Sequence, residues 1–196
     1  MKTTLRKFPL EDIQNPSHEV KQSLQWYKDV FGFVPNLGKL LANAPAALAS
    51  YVDTQKYLSS IGTLSSEENN IVQMTIAIEN QCQYCVGGHT MAGEMLFGNK
   101  AEDIESLRND VSLSSDKFNV LQAFTKTLYN TKGRVSDKDL DAFFAAGYTK
   151  PQTLDVITNI SAKIISNFAN QLAINIPDEP FAKLSETLGY DSSNYR

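Results

Sequence analysis

Scarcity is the first thing this 196-residue chain shows: it has two cysteines and two histidines. Two cysteines are too few for the disulfide framework of a small secreted domain. A close pair in a reducing compartment is more often redox-active or metal-binding. No apolar run approaches the roughly 18 residues of a membrane-spanning helix. The basic start over residues 1–9 lacks the hydrophobic core of a secretory signal. The expectation is a cytoplasmic protein with no membrane association. Lys and Arg number 18 against 22 Asp and Glu, so the net charge is −4. That balance gives no electrostatic reason to bind nucleic acid. No segment sustains an alternation of apolar and polar residues, so no strand is predicted. Low-complexity tracts and dividing linkers are absent too, and a single domain over residues 1–196 is expected.

What is present is ordinary globular composition, 42% hydrophobic and 20% charged, patterned for helices. After an irregular segment over residues 1–16, Val20, Leu24, Tyr27 and Val30 or Phe31 recur at helical spacing until Gly32. Leu37, Leu40 and Leu41 mark a short second helix, and Pro45 opens a third that ends at Gly62. Ser65 with Glu68 forms a capping-box pattern, followed by a helix apolar nearly all round and therefore central. Asn80, with Gln83 three residues on, is expected to cap the next, running to about Phe97 and stopping at Gly98. Further helices are predicted over residues 101–107, after Ser114 or Ser115, and after Ser136. A long one follows Thr149 and Pro151, with Leu154, Ile157, Ile160, Ile164, Phe168 and Leu172 on one stripe. A tail beyond Pro177 is expected to dock through Phe181 and Leu184. The architecture predicted is all-α with short connections.

Both cysteines and one histidine fall in Glu79-Asn80-Gln81-Cys82-Gln83-Tyr84-Cys85-Val86-Gly87-Gly88-His89. On a helix, Cys82 and Cys85 lie about 60° apart and Cys85 and His89 about 40° apart, so all three share a face. The helix start favours a thiolate at Cys82, whereas His89, one turn beyond Cys85, can take the Cys85 proton. A thiolate here can attack a peroxide oxygen to give a sulfenic acid, which the second thiol condenses into a disulfide. Glu79 is placed to orient His89 if the helix is continuous. If Asn80 breaks it, Glu79 ends the preceding helix and its direction is open. Gly87 and Gly88 cost roughly 1 kcal/mol each against Ala, which makes sense if a neighbour or substrate approaches closely.

Other readings of the run are two core cysteines paired by chance, or a zinc site from Cys82, Cys85, His89 and Glu79. Structural zinc usually draws on two segments, and the remaining histidine, His18, sits alone in a polar stretch read as surface. Covalent haem attachment needs His directly after the second cysteine, where Val86 stands. A thioredoxin-like motif needs alternating strands and helices. No metal or other cofactor is expected.

The run and the helix before it resemble the alkylhydroperoxidase AhpD-like family, within the carboxymuconolactone decarboxylase superfamily. The residues that carry the resemblance are Leu64 to Glu68, Ile71, Asn80 to Cys85, and His89-Thr90. Looser matches lie at Val34-Pro35-Asn36-Leu37, Ala42-Asn43-Ala44-Pro45 and Asn167 to Ala173. The resemblance implies an all-α AhpD-like domain that assembles as a trimer or hexamer. It also implies a thiol-dependent peroxidase acting on organic hydroperoxides or hydrogen peroxide, recycled by a dithiol or protein reductant. In that reading Cys85 attacks the peroxide, Cys82 resolves and His89 assists by proton transfer. The chain departs from some members at Asn70, where they carry a catalytic Glu, and at Tyr84, where they carry His; Glu79 is the natural substitute for the missing carboxylate. The alternatives are a decarboxylase-type lyase, which needs acid–base groups and no thiol pair, and a non-peroxidase disulfide relay or sensor.

Overall fold

Side-chain capping starts several helices in the computed structural model, which describes residues 7–8 and 17–185. The segment expected to be irregular over residues 1–16 lies mostly outside these residues, as does the tail after residue 185. The helices are α1 (His18–Phe31), α2 (Asn36–Leu41), α3 (Pro45–Ser60), α4 (Ser66–Glu79), α5 (Gln83–Ala92), α6 (Ala101–Arg108), α7 (Asp116–Asn130), α8 (Asp137–Ala145), α9 (Lys150–Ala173) and α10 (Ala182–Ser185). No strand occurs among the described residues. The Ser65–Glu68 box is closed in both directions, at 3.1 and 3.0 Å, and Ser136–Asp139 repeats it at the start of α8.

Helix α4 is the axis of the fold. Every residue from Glu68 to Ala77 is buried, and α4 packs against α5, α6, α7 and α9. Ile71, Val72, Met74 and Ile76 are fully enclosed, each contributing roughly 1.5–3 kcal/mol of apolar burial. Phe143 stacks between Phe124 and Tyr148, with ring centroids 4.1 and 4.4 Å away, and so belongs to the α7–α8 core.

Between α4 and α5 the structure corrects the expected cap. Asn80 closes α4 in helical geometry and Gln81 takes the left-handed conformation, at φ 54°. The Cys82 N–H returns to the Ala77 carbonyl at 2.8 Å, a Schellman closure. The N-cap of α5 is therefore Cys82, not Asn80. The Asn80 side chain is taken elsewhere: its Oδ1 accepts from Tyr129 at 2.5 Å and its Nδ2 donates to Asn167 at 3.0 Å. Helix α5 continues through a π-helical turn, Gly93–Phe97, to Gly98 as expected.

Most of the apolar stripe named on α9 faces outward, although Ile160 packs against the core. Leu154, Ile157, Phe168 and Leu172 are exposed, the last two by 51% and 57%. The inward face carries Gln152, Asn159, Lys163, Ser166, Asn167 and Asn170 beside the small apolar Val156, Ala162 and Ala173. Period alone identifies two faces of a helix and does not say which is inside. Here the polar face turns in because partners wait for it: Asn159, for example, bonds Gln73 and Asn69, both at 2.8 Å.

The chain beyond α9 straps back across α5. Phe181 meets Tyr84 edge-on at 5.2 Å, and Arg108 holds both Thr90 and the Leu184 carbonyl at 2.8 Å. Gly87 makes this approach possible. A Cβ there would stand 2.0 Å from the Ser185 hydroxyl and 3.0 Å from the Phe181 carbonyl. Gly87→Ala is therefore expected to destabilise the fold by about 1–3 kcal/mol, or to shed the strap. Thermal unfolding with limited proteolysis checks this; an unchanged melting temperature and an uncut C-terminus would refute it.

Candidate active site

Cys82 and Cys85 are free thiols, 2% and 3% exposed. Their environments push them apart. Burial raises the Cys82 thiol well above its ordinary range, and the hydrogen bond it donates to Cys85 raises it further. At Cys85 burial also pulls upward but loses. The Cys82 hydrogen bond, the nearby charge of Lys163 and the amides of Asn170 and Asn167 together lower it to about 6. Cys85 is the thiolate of the pair at neutral pH.

The amides that hold the thiolate come from α9. Asn170 donates from Nδ2 to Cys85 Sγ at 3.2 Å. Its orientation is fixed because its Oδ1 already accepts from Asn175 at 2.8 Å. The buried Asn167 amide nitrogen has no closer acceptor among the described residues and adds to the same stabilisation.

His89 lies on α5 as expected, but its partners were not foreseen. Its Nδ1 meets Asn70 Oδ1 at 2.8 Å, and Lys163 Nζ meets its Nε2 at 2.7 Å. Asn70 Nδ2 donates to Asn99 at 2.9 Å, so Asn70 presents its oxygen to the ring. The network thus assigns the proton to Nδ1 and leaves Nε2 to accept from Lys163. Burial, followed by the charge of Lys163, drives the His89 pKa well below its usual value, so the ring is neutral. Gly93 leaves room for this arrangement: a Cβ there would come within 2.5 Å of Asn70 Nδ2.

Glu79 does not join them. Its carboxylate accepts from Asn130 on α7 at 2.9 Å, and both ring nitrogens of His89 are taken by other groups. With the break at Asn80–Gln81, Glu79 belongs to the end of α4 and its role in orienting His89 passes to Asn70. No group of three or more His, Cys, Asp or Glu side chains is gathered for a metal among the described residues. His18 is exposed and pairs with Gln22 at 3.1 Å. Tyr84 is a clamp: its hydroxyl accepts from the Leu37 N–H at 3.0 Å and donates to Asp178 at 2.5 Å. Asp178 also accepts from the Asn36 N–H at 3.0 and 3.1 Å, capping α2.

A cavity of about 200 Å³ opens onto this cluster. Cys85, His89, Lys163 and Asn70 line it, and Cys82 does not. Trp26, Tyr27, Phe31, Phe33 and Phe181 form its apolar wall, and Gln55, Asn69 and Gln73 add a strip of amides. Small, mostly apolar molecules suit such a site. Lys163 stands 74 residues from His89 on a separate helix, and no local motif in the sequence links the two.

No protein-family model matches the chain, and no curated protein matches it in sequence. Solved structures do match in fold. The AhpD-core, uncharacterized peroxidase-related protein from Ralstonia eutropha JMP134 superposes with a TM-score of 0.83 at 18% identity, covering 95% of this chain and 98% of that one. An uncharacterized peroxidase-related protein from Silicibacter sp. TM1040 gives 0.78 at 18% identity, over 93% and 95%. The debrominase Bmp8 in complex with 2,3,4-tribromopyrrole gives 0.73 at 12% identity, over 94% and 95%. The chain has the all-α fold of the AhpD-like proteins.

Proposed function

We propose that the protein is a thiol-dependent peroxidase in which Cys85 is the attacking thiol and Cys82 the resolving one. One observation carries this: Cys85 combines a lowered pKa with a place on the cavity wall, whereas Cys82 has neither. The Cys85 thiolate attacks the terminal oxygen of a hydroperoxide. The S–O bond forms as the O–O bond breaks, and the departing alkoxide takes up a proton to leave as an alcohol. Cys82 sulfur then attacks the sulfenic acid sulfur, and hydroxide leaves with the Cys82 proton as water. The two thiols supply the two electrons, and a dithiol or protein reductant restores them.

A second reading is favoured by the aromatic wall and by the likeness to a debrominase. A planar halogenated aromatic can give its halogen to Cys85, take a proton in its place, and leave Cys82 to displace halide as the disulfide forms. Bromide release from 2,3,4-tribromopyrrole, without peroxide consumption, would establish that reading instead.

Reduced protein mixed with one equivalent of cumene hydroperoxide should lose both thiols as the peroxide disappears. Peroxide persisting beside intact thiols would remove the proposal. Cys85→Ser should stop the first step, and Cys82→Ser should leave a trappable sulfenic acid; the reverse pattern would exchange the roles. Because the thiolate is the reactive form, the single-turnover rate should rise with pH through about 6 and then level. A midpoint above about 8 would mean that Cys85 is an ordinary thiol.

Assembly of identical chains is part of the proposal, since the outward face of α9 is an apolar stripe of the kind such contacts cover. Light scattering should give a mass several times 21.8 kDa, lowered by Phe168→Glu. A monomeric wild type would remove this element.

A further inference from the structure

Lys163 is a buried lysine, 1% exposed, on a helix that has ample solvent on its other side. No carboxylate lies within ion-pair distance of it among the described residues. Its hydrogen-bond partner is the Nε2 of a neutral histidine. Burying an ammonium without a counter-charge is costly, and an anion near it offsets that cost. The other members of the cluster supply one: the Cys85 thiolate, which feels the Lys163 charge and shares its cavity. The reduced site is then neutral as a whole, one buried cation against one buried anion.

Oxidation breaks this balance. When Cys85 becomes a sulfenic acid, and then half of a disulfide, it carries no charge. The ammonium is left in a mostly apolar cavity with no anion beside it. The alkoxide leaving the peroxide appears in the same cavity at the same moment and needs a proton. Resting on the peroxidase reading, we propose that Lys163 is the catalytic acid of the first step, protonating the departing oxygen and remaining neutral until the disulfide is reduced. His89 is then a positioning residue. Its Nδ1–H is tied to Asn70, so its Nε2 lone pair faces Lys163 and holds the ammonium in place.

The protons balance. The reduced site holds two, on Cys82 and on Lys163. One goes to the alkoxide, giving the alcohol, and the other leaves with the hydroxyl of the sulfenic acid as water. The oxidised site holds none, and reduction by a dithiol returns both. The other titratable groups facing the pair do not intervene near neutral pH. Burial first of all raises the hydroxyls of Tyr27, Tyr51 and Tyr84, and His89 is neutral.

Two experiments test this. The first compares two reactions of Cys85 in single turnover. Iodoacetamide needs a thiolate but no acid, since iodide leaves without a proton; cumene hydroperoxide needs both. Lys163→Arg keeps the charge without a transferable proton. It should alkylate within about threefold of wild type yet lose about a hundredfold or more in peroxide reduction, the scale of general acid catalysis. Lys163→Met should lose both reactions, with the alkylation midpoint displaced upward by more than about one pH unit. Equal losses in both reactions for Lys163→Arg, or no loss in either, would overturn the proposal.

The second experiment needs no variant and no peroxide. The wild-type disulfide is equilibrated with dithiothreitol between about pH 7 and 8, where the reagent keeps both thiols protonated. If reduction returns two protons to the protein, the equilibrium constant is flat with pH. If Lys163 stays charged throughout, the protein takes up one, and the constant rises about tenfold per pH unit. A flat profile with an alkylation midpoint near 6 supports the proposal. A tenfold slope, or an alkylation midpoint above about 8, refutes it. Absence of peroxide reduction in wild type would instead defeat the peroxidase reading, while this proton count would still report on Lys163.

Discussion

The interaction on which this structure turns is the contact between buried Lys163 and half-buried His89, 2.7 Å long and set in the cavity wall. A lysine held there fixes much else. The ring beside it must stay neutral, which requires a hydrogen-bond acceptor at Nδ1 and makes an amide at position 70 sufficient. A carboxylate at that place would pair with the cation through the ring and compete with the thiolate for its charge. Asn70 therefore fits a site whose counter-charge is sulfur. The consequence runs on to the surface: because α9 turns its polar face toward the thiols, Leu154, Ile157, Phe168 and Leu172 are left outside.

The placing of the thiols depends on close backbone approach more than on helix regularity. A Schellman turn ends α4, and the same residue that completes it, Cys82, begins α5. Gly87 admits the C-terminal strap and Gly93 admits Asn70. Each glycine costs the helix roughly 1 kcal/mol against Ala. That is small beside the Tyr84–Asp178 bond, the Arg108 anchors and the buried amide pairs that the approaches permit, since a typical hydrogen bond contributes about 0.5–1.5 kcal/mol and one to a charged group more.

The helices, the Ser65 and Ser136 capping boxes and the closeness of Cys82 to Cys85 were legible in the sequence because they follow local rules: capping boxes, a 3.6-residue period, and i+3 spacing. What escaped was tertiary. Glu79 stands three residues from Cys82, yet a left-handed Gln81 turns the chain and sends the carboxylate to Asn130. Lys163 and Asn170 reach the site from a distant helix, and nothing local marks a lysine whose polar face points inward. Asn70 was visible as a missing carboxylate, but its use as the acceptor for His89 required the three-dimensional partner. Tyr84 likewise reads as a lost histidine until its bonds to Leu37 and Asp178 show a brace.

The choice between the thiols follows from comparing magnitudes. A helix start favours a thiolate at Cys82, but that field is worth about 0.3–1 kcal/mol, or up to roughly 2 in favourable geometry. Cys82 must set this against nearly complete burial, and its own proton is committed to Cys85. Cys85 suffers the same desolvation and gains hydrogen bonds from Cys82 and Asn170, together with a nearby cation. Hydrogen bonds to a charged group contribute about 1.5–3 kcal/mol each, so their sum outweighs the terminus. The proton on Cys82 is what stabilises the charge on Cys85, which makes the asymmetry self-reinforcing. The more firmly one thiol keeps its proton, the more readily the other gives it up.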